Sequence, residues 1–459
     1  MSTTKQREWP SYRTVWRWHF WAGLFCIPFV IFLSITGTIY LFKPQVESWM
    51  DRSYDSLAAL EEHRPLSEQV RAVLDEHPDA KTVQVELPRA DQGATRVVLK
   101  DKQGTWKVFV HPQTLRIMTV RDEDAALMKR IKSLHGQLGI GTWGSYLVEL
   151  AACWTIVMIL TGLVLWWPTN AKGFGGVLYP RWNKSNRVWW RDFHSVLGFW
   201  ISLFAVFLIL TGLPWAKFWG SYFRGVRDAT GLASISQDWT LGGKQPQAAS
   251  EHSHHEGPSK PSATRKGGRS GGAPIPKDLG GFDKLLAVAR KERLAYPVLL
   301  SPPEAGSSHW KLSSDAQNRP LRQTILIDGA SAEIVSREGY STKHWIDRMV
   351  GVGIAAHEGQ LFGIPNQLLG LLTTSGLIAL SSSGVWMWYK RREVGTWGFP
   401  EPLRHGPLVW TVWWIILALG IAMPLFGGSV AIVFLMDRWG LTTWVHRKPK
   451  RGVFWGKEA

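Results

Sequence analysis

The sequence predicts a polytopic α-helical membrane protein with a four-helix core built as an internal two-fold repeat, two extracytoplasmic α+β modules and a C-terminal helical hairpin. Three observations predict this class: long uncharged runs, basic charge confined to short segments, and histidines that recur at matched intervals. The 459 residues include five apolar runs without Asp, Glu, Lys or Arg, at 20–42, 150–168, 193–216, 359–389 and 405–436. Because about 20 helical residues cross the ~30 Å hydrocarbon core of a bilayer, these runs exclude an ordinary soluble enzyme.

The distribution of charge indicates the orientation of the chain. The net charge of +17 would also suit a nucleic-acid-binding protein, but the short segments 1–18, 169–193, 390–406 and 445–459 together carry +13 of it. The positive-inside rule places such short basic segments in the cytoplasm. We therefore expect membrane lipid, and no nucleic acid, as a partner, and the two long segments then lie outside. The 28 Trp residues cluster at span ends, which is typical of an interfacial aromatic belt.

The order of runs and charges predicts a multi-pass chain with a cytoplasmic N-terminus. The predicted spans are 19–42, 143–168, 193–217, 361–389, 407–424 and 427–445, the cytoplasmic segments are 1–18, 169–192, 390–406 and 446–459, and the external modules are 43–134 and 218–356. The first apolar stretch is 23 residues long and lacks a small-x-small cleavage site, so we expect it to be retained as a signal anchor. The last run is too long for one span, and Pro424 to Gly428 offers a turn. One long kinked helix, giving five spans, is the competing prediction.

Each external module is expected to combine one helix with short strands. In the first, LSEQVRAVLDEH predicts an amphipathic helix, and KTVQVELP, TRVVLKD and TWKVFVHPQTLRIMTV predict strands broken by Gly, Pro and Asp. In the second, GGFDKLLAVARKE predicts the helix, and YPVLLSPP, HWKLSS and RQTILIDGASAEIVSR predict the strands. The segment 242–276, rich in Gly, Pro, Ser and Lys, predicts a flexible linker.

Four histidines hold matched positions in two copies of the pattern span, external module, span. His19 and His194 begin outward-running spans, and each lies 17 residues before a Thr-Gly pair. His135 and His357 precede inward-running spans, and each lies 26 residues before a Thr-Gly or Ser-Gly pair. We therefore expect His19 and His194 near the cytoplasmic face and His135 and His357 at or just above the outer face.

Two imidazoles from different helices of a bundle form the ligand set of a bis-histidine haem b. We predict two such haems, one held by His19 and His194 and the other by His135 and His357. Hydrogen bonding to backbone or lipid headgroups would explain any one of these histidines alone, but it does not explain their repetition. Zinc is a weaker alternative, because structural zinc prefers four protein ligands.

Two other spacings bear on the haem prediction. Gly23 and Gly198 each lie four residues after a candidate ligand on the same helix face, where a small residue would leave room for a flat macrocycle. His344 and His357 show the 13-residue interval of oxidase-type di-haem reductases. No second helix repeats that interval, so we reject this arrangement.

An ordered set of motifs resembles a known family. RWHFWAG, LSITGTIYLF, HGQLG, RDFHSVLGFW and HEGQLFG, together with the two external modules, are similar to the PepSY-associated transmembrane proteins, over about residues 12–392. That family includes ferric-siderophore reductases of the bacterial inner membrane. The resemblance implies PepSY-like modules in the periplasm, two b-type haems on the four matched histidines, and reduction of a ferric siderophore or other ferric chelate for iron acquisition. The 242–276 linker and the C-terminal apolar segment depart from smaller family members.

An oxidoreductase of this kind needs an external electron donor. The cytoplasmic segments are too short for a nucleotide-binding unit and no G-x-G-x-x-G follows a strand, so we expect a membrane quinol or a separate cytoplasmic reductase. The contrasting prediction is a non-enzymatic, membrane-anchored PepSY protein that binds or regulates a periplasmic peptidase or senses a ligand. His252, His254 and His255 in the linker could bind copper, nickel or iron, although a polar tract that happens to be His-rich is the simpler interpretation.

Overall fold

The computed structural model describes residues 10–58, 62–168, 173–232, 273–304, 306–393, 398–399 and 410–438. Within these ranges the helices are α1 Tyr12–Leu41, α2 Lys43–Asp55, α3 Leu66–Glu76, α4 Leu127–Gln137, α5 Thr142–Trp166, α6 Asn186–Gly212, α7 Lys217–Ala229, α8 Gly280–Glu292, α9 Trp345–His357, α10 Ile364–Arg391, α11 Trp410–Ala422 and α12 Pro424–Arg438. The strands are β1 Thr82–Glu86, β2 Thr95–Lys100, β3 Thr105–Val110, β4 Ile117–Asp122, β5 Ala273–Pro274, β6 Val298–Ser301, β7 His309–Ser314, β8 Thr324–Asp328 and β9 Ile334–Glu338.

In the part of the chain that the structure describes, four helices are long and apolar enough to cross a membrane: α1, α5, α6 with its 3₁₀ extension to Trp215, and α10. They coincide with the first four predicted spans, which confirms a polytopic membrane protein. Two of them begin about two turns earlier than predicted, α1 at Tyr12 and α6 at Asn186. Trp and Arg are compatible with a helix. Each helix can therefore begin before the first residue of the charge-free run.

The C-terminal apolar run forms two short helices. α11 and α12 have 13 and 15 residues and pair in antiparallel fashion, with Trp413 against Phe434 at a centroid distance of 6.4 Å and Gly420 against Gly427 near the turn. The competing prediction of one long kinked helix is therefore wrong. Pro424 begins α12, where proline is well tolerated, while Gly427 lies inside that helix and allows close helix contact. Six spans stay a prediction.

The strands form one antiparallel sheet. Its order is β4-β3-β2-β1-β6-β7-β8-β9, with β5 paired to β1, and every predicted strand segment contributes to it. The two predicted modules share this sheet, because β1 of the first pairs with β6 of the second through Val85 and Leu300. This pairing satisfies backbone groups that two separate sheets would expose at an edge.

One hydrophobic core stabilises the sheet. α3 and α8 lie side by side, where the backbone N–H of Ser67 donates to Asp283, and their apolar faces cover the strands. The core contains the fully buried residues Val70, Val73, Val85, Val97, Phe282, Leu285, Leu300, Leu312 and Ile325. Because residues from both modules share this core, the two modules stabilise each other.

A helix break separates two of the candidate ligands from the spans that follow them. α4 ends at Gln137, and Leu138, Gly139 and Gly141 adopt positive φ before α5 begins. α9 ends at His357, and Gly359 and Gly363 adopt positive φ before α10. Glycine is the residue that adopts this conformation without strain. His135 and His357 therefore lie on short helices of their own.

The chain forms two compact units. The first contains 1–31, 146–206 and 376–459, and the second contains 32–145 and 207–375. The first unit includes the N-terminal part of α1, most of α5 and α6, the C-terminal part of α10, and the α11–α12 hairpin. The second includes the remaining parts of these helices, the shorter helices and the whole sheet. Most of the 242–276 linker lies outside the described residues, which resume at Ala273.

Candidate functional site

The first unit brings His19 and His194 together. His19 lies on α1 and His194 on α6, and their ring centroids are 6.3 Å apart with the ring planes 86° apart. Each ring keeps part of its surface accessible within the bundle. Two imidazoles from different helices therefore share one space.

The second unit contains a matching pair. The rings of His135 on α4 and His357 on α9 also have centroids 6.3 Å apart, with planes 78° apart. The structure thus groups the four histidines into the two pairs predicted from the repeat. Burial lowers the pKa of His135 to about 4. Burial also lowers the pKa of His357 to about 4, with a contribution from the neighbouring His135. Both rings are therefore neutral at pH 7, and neutral imidazole is the form that binds a metal.

Every ring contacts a hydroxyl through its Nδ1 atom. The Nδ1-to-oxygen distances are 3.2 Å for His19 and Thr161, 3.1 Å for His135 and Thr36, 2.9 Å for His194 and Ser383, and 3.0 Å for His357 and Thr211. Each hydroxyl donates its own hydrogen to a carbonyl of the preceding helical turn, at 2.7–2.9 Å. The hydroxyl oxygen must then accept from an Nδ1–H group.

This hydrogen bond determines the tautomer. Nδ1 of His19 also lies 2.9 Å from the carbonyl oxygen of Met158, which can only accept. With the proton on Nδ1, Nε2 of each neutral ring carries a free lone pair. Nε2 makes no hydrogen bond to the residues that the structure describes. A second partner that fixes the tautomer in this way is the usual support of a metal-bound histidine.

A glycine faces each ring. A Cβ atom added to Gly162 would lie 3.0 Å from Cε1 of His19, and one added to Gly37 would lie 3.1 Å from Cε1 of His135. The corresponding distances are 3.3 Å from Gly212 to His357 and 3.4 Å from Gly384 to His194. In each Thr-Gly or Ser-Gly pair, the glycine therefore leaves room for an imidazole ring and the hydroxyl oxygen accepts a hydrogen bond from it.

Gly23 and Gly198, the two glycines expected to leave room for a macrocycle, each face a side chain of another helix. A Cβ on Gly23 would meet Met158 at 3.9 Å, and one on Gly198 would meet Leu380 at 3.6 Å. These are ordinary packing distances, so the role expected from their spacing stays a prediction.

The separation of the rings fits two axial ligands of one metal ion. A metal–nitrogen bond of about 2.0 Å and about 1.1 Å from the nitrogen to the ring centre would place two opposed imidazole centroids roughly 6 Å apart, in agreement with the observed 6.3 Å. Among the described residues, no His, Cys, Asp or Glu forms a group of three with either pair. Two protein ligands suit a metal that brings its own equatorial donors, as haem iron does, better than structural zinc.

The residues missed from the sequence are Thr36, Thr161, Thr211 and Ser383. Their signal was visible, because they occupy the matched positions that define the repeat. In the sequence they served only to align the two copies of the repeat. The linker histidines His252, His254 and His255 lie outside the described residues.

The comparison with known proteins identifies the family. The family model described as the PepSY-associated TM region matches residues 16–391, which is most of the chain and includes all four paired histidines. No curated protein matches the chain. The chain therefore belongs to the PepSY-associated TM family.

Proposed function

We propose that this member of the PepSY-associated TM family is a di-haem b oxidoreductase that transfers electrons across the bacterial inner membrane and reduces a ferric siderophore or other ferric chelate in the periplasm, for iron acquisition. One observation carries the proposal. Two pairs of histidine rings have the same 6.3 Å separation, and all four rings have Nδ1 engaged by a hydroxyl on a neighbouring helix.

In this proposal the four histidines would hold two haems. His19 and His194 would hold the haem on the cytoplasmic side, and His135 and His357 would hold the haem on the periplasmic side. The Thr and Ser hydroxyls fix the tautomer and the ring orientation. A hydrogen bond from Nδ1–H also makes Nε2 more basic and therefore a stronger metal ligand. When bound, haem iron supplies one-electron redox chemistry.

The topology supports this direction of transfer. Short basic segments alternate with long segments of mixed charge, so the positive-inside rule puts the sheet domain in the periplasm. The helix-plus-four-strand pattern occurs twice in the sheet, in support of two PepSY-like modules and an internal two-fold repeat. The long helix before each module carries a histidine and a hydroxyl at the same spacing, and the two helices after each module carry another such pair.

The overall reaction balances with a two-electron donor outside this chain. A membrane quinol releases two electrons and two protons to become a quinone, and two ferric ions each accept one electron to become ferrous. A separate cytoplasmic reductase is the other donor class. No proton is transferred to the iron, so the chelate reaction requires no acid or base from the protein.

Purification of the full-length chain in detergent tests the proposal. We expect about two b-type haems per chain, with a Soret band that shifts and an α band that appears on reduction, both changes being reversed when ferric citrate is added. A chain that folds but contains no haem would contradict the proposal. That result would favour the non-enzymatic alternative, a membrane-anchored PepSY protein that binds or regulates a periplasmic peptidase or senses a ligand.

A further inference from the structure

Two cationic side chains share one indole ring beside the His135–His357 pair. Nζ of Lys132 lies 4.0 Å from the ring centroid of Trp215, and Cζ of Arg319 lies 5.2 Å from the same centroid. We call these three residues the Trp215 cluster. A cation over an aromatic face is stabilised by the ring, but two cations on one ring also repel each other.

The cluster is attached to the elements that hold the histidines. Lys132 lies three residues before His135 on α4, so both side chains project from the same helix face. Trp215 ends the 3₁₀ turn that directly follows α6, four residues after Thr211, the hydroxyl partner of His357. The 3₁₀ turn that begins with Arg319 packs on α9. The cluster therefore lies on α4 and on two 3₁₀ turns that adjoin the elements of the histidine pair.

Burial and repulsion both act on the charge of Lys132. Arg319 is buried, with 8% of its surface exposed. Lys132 forms no ion pair or hydrogen bond with the residues that the structure describes. Burial lowers the pKa of Lys132 to about 8; Glu358 counteracts this effect, and the charges of Arg319, Lys43 and Arg322 add to it. The ammonium of Lys132 is thus still charged at pH 7, although burial and the neighbouring cations both disfavour its charge.

A carboxylate is the ligand that this arrangement would accept. Arg offers a planar fork of N–H donors to a carboxylate, and Lys offers a point charge beside it. An anion bound at Lys132 would relieve both its desolvation and its repulsion by Arg319. The indole of Trp215 would form an apolar wall below the bound group.

We propose that Lys132 and Arg319 form a carboxylate-binding site of the outer centre. This inference rests on the proposed function, since the nearest carboxylates would be the propionates of a haem on His135 and His357. The second source of the same chemistry is a carboxylate of the ferric chelate itself. The two sources predict different results when Lys132 is changed.

The test compares Lys132→Met, Lys132→Arg and Lys129→Met in the full-length chain. Lys129 is the matched control, because it lies on the same helix but is half exposed and pairs with Glu123 at 3.3 Å. If the site holds a propionate, Lys132→Met lowers the haem content toward one per chain and shifts the midpoint potential of the outer haem downward. Lys132→Arg restores both values, and Lys129→Met changes neither.

If the site holds the chelate, the haem content and potentials stay unchanged. Lys132→Met then raises the KM for anionic ferric citrate by about tenfold, the loss expected for one charged hydrogen bond, and leaves the KM for neutral ferric acetohydroxamate unchanged. The inference is overturned if Lys132→Met changes neither haem parameter and neither KM.

A wild-type chain without haem would overturn the proposed function and not, by itself, this inference. Ferric citrate binding, followed by tryptophan fluorescence of the wild-type and Lys132→Met chains, then decides. Equal affinity of the two chains for ferric citrate would overturn the site.

Discussion

His19 and Thr161 lie on different helices, and the Nδ1 atom of His19 is 3.2 Å from the Thr161 hydroxyl oxygen, which donates its hydrogen to Val157 of its own helix. The same relationship recurs at His135 with Thr36, where the distance is 3.1 Å. A hydroxyl that donates to a carbonyl of its own helix accepts from the ring beside it and so fixes the tautomer of that ring.

Removal of the Thr161 hydroxyl should weaken the centre formed by His19 and His194. We expect Thr161→Ala to lower haem affinity at that centre by about 10- to 100-fold, as for other residues that hydrogen-bond to a metal ligand, while Thr161→Ser retains it. Haem content of the purified variants measures the effect. Equal haem content in the Ala and Ser variants would show that the hydroxyl does not support the ligand.

The glycines that face the histidine rings should differ in how well they tolerate an added methyl group. Gly162→Ala and Gly37→Ala place a Cβ at 3.0 and 3.1 Å from an imidazole carbon, whereas Gly384→Ala places it at 3.4 Å. We expect the first two to perturb the absorption spectrum of one haem and the third to change it little. Gly136→Ala is the control, because it adjoins His135 but has open space around a Cβ. The same spectral change in all four variants would contradict the argument.

Each histidine should be required for one haem only. His135→Ala should remove the outer haem and abolish ferric-chelate reduction, and the haem on His19 and His194 should still be reducible. His344→Ala is the control, because His344 caps the same helix that carries His357. Difference spectra of the reduced and oxidised variants give the haem count. If both haems survive the His135→Ala change, the pairing is wrong.

The sheet domain should show a pH-dependent contribution from Lys107. Its Nζ lies 3.1 Å from both Glu86 and Glu123. Although burial opposes it, the charge of Lys107 lowers the pKa of Glu123 below 4.5, and the two carboxylates raise the pKa of Lys107 above 10.5 against the effect of its own burial. The stabilisation by Glu123 is present above pH 4.5 and is lost as the pH falls through the lowered value. That by Lys107 is present below pH 10.5 and is lost as the pH rises through the raised value.

Lys107→Met should therefore lower the free energy of unfolding by about 1–3 kcal/mol at pH 7, with a smaller loss once the pH falls below the lowered pKa of Glu123. Thermal unfolding followed by circular dichroism, from pH 7 down into the acid range, measures the difference. Lys129→Met, which removes a more exposed partner of Glu123, should have little effect. A Lys107→Met defect that stays equally large throughout the acid range would show that packing, and not charge, causes it.

A buried ion pair should position the helix that carries His357. Arg227 on α7 and Asp347 on α9 are each 2% exposed in their side chains and lie 2.8 Å apart. Arg227→Met leaves a buried carboxylate without this partner, and we expect a loss of about 3–5 kcal/mol with reduced outer-haem content. The double variant Arg227→Met, Asp347→Leu should recover most of the stability. A single variant as stable as the wild type, in thermal unfolding, would contradict this role.

The sequence predicted the elements well where periodicity and charge decide them. The strands around Val85 and Leu300 were recognisable from their β-branched residues, but the pairing of β1 with β6 was not, because it depends on an edge contact between distant segments. Likewise the repeat grouped His19 with His194 and His135 with His357, while Thr161 could not be assigned to His19. Spacing along one helix says nothing about which side chain of another helix faces it.

Each histidine pair takes one ring from either half of the chain, since His19 meets His194 and His135 meets His357. Neither half of the chain therefore completes a pair by itself. A lesion that unfolds one half would disrupt both pairs.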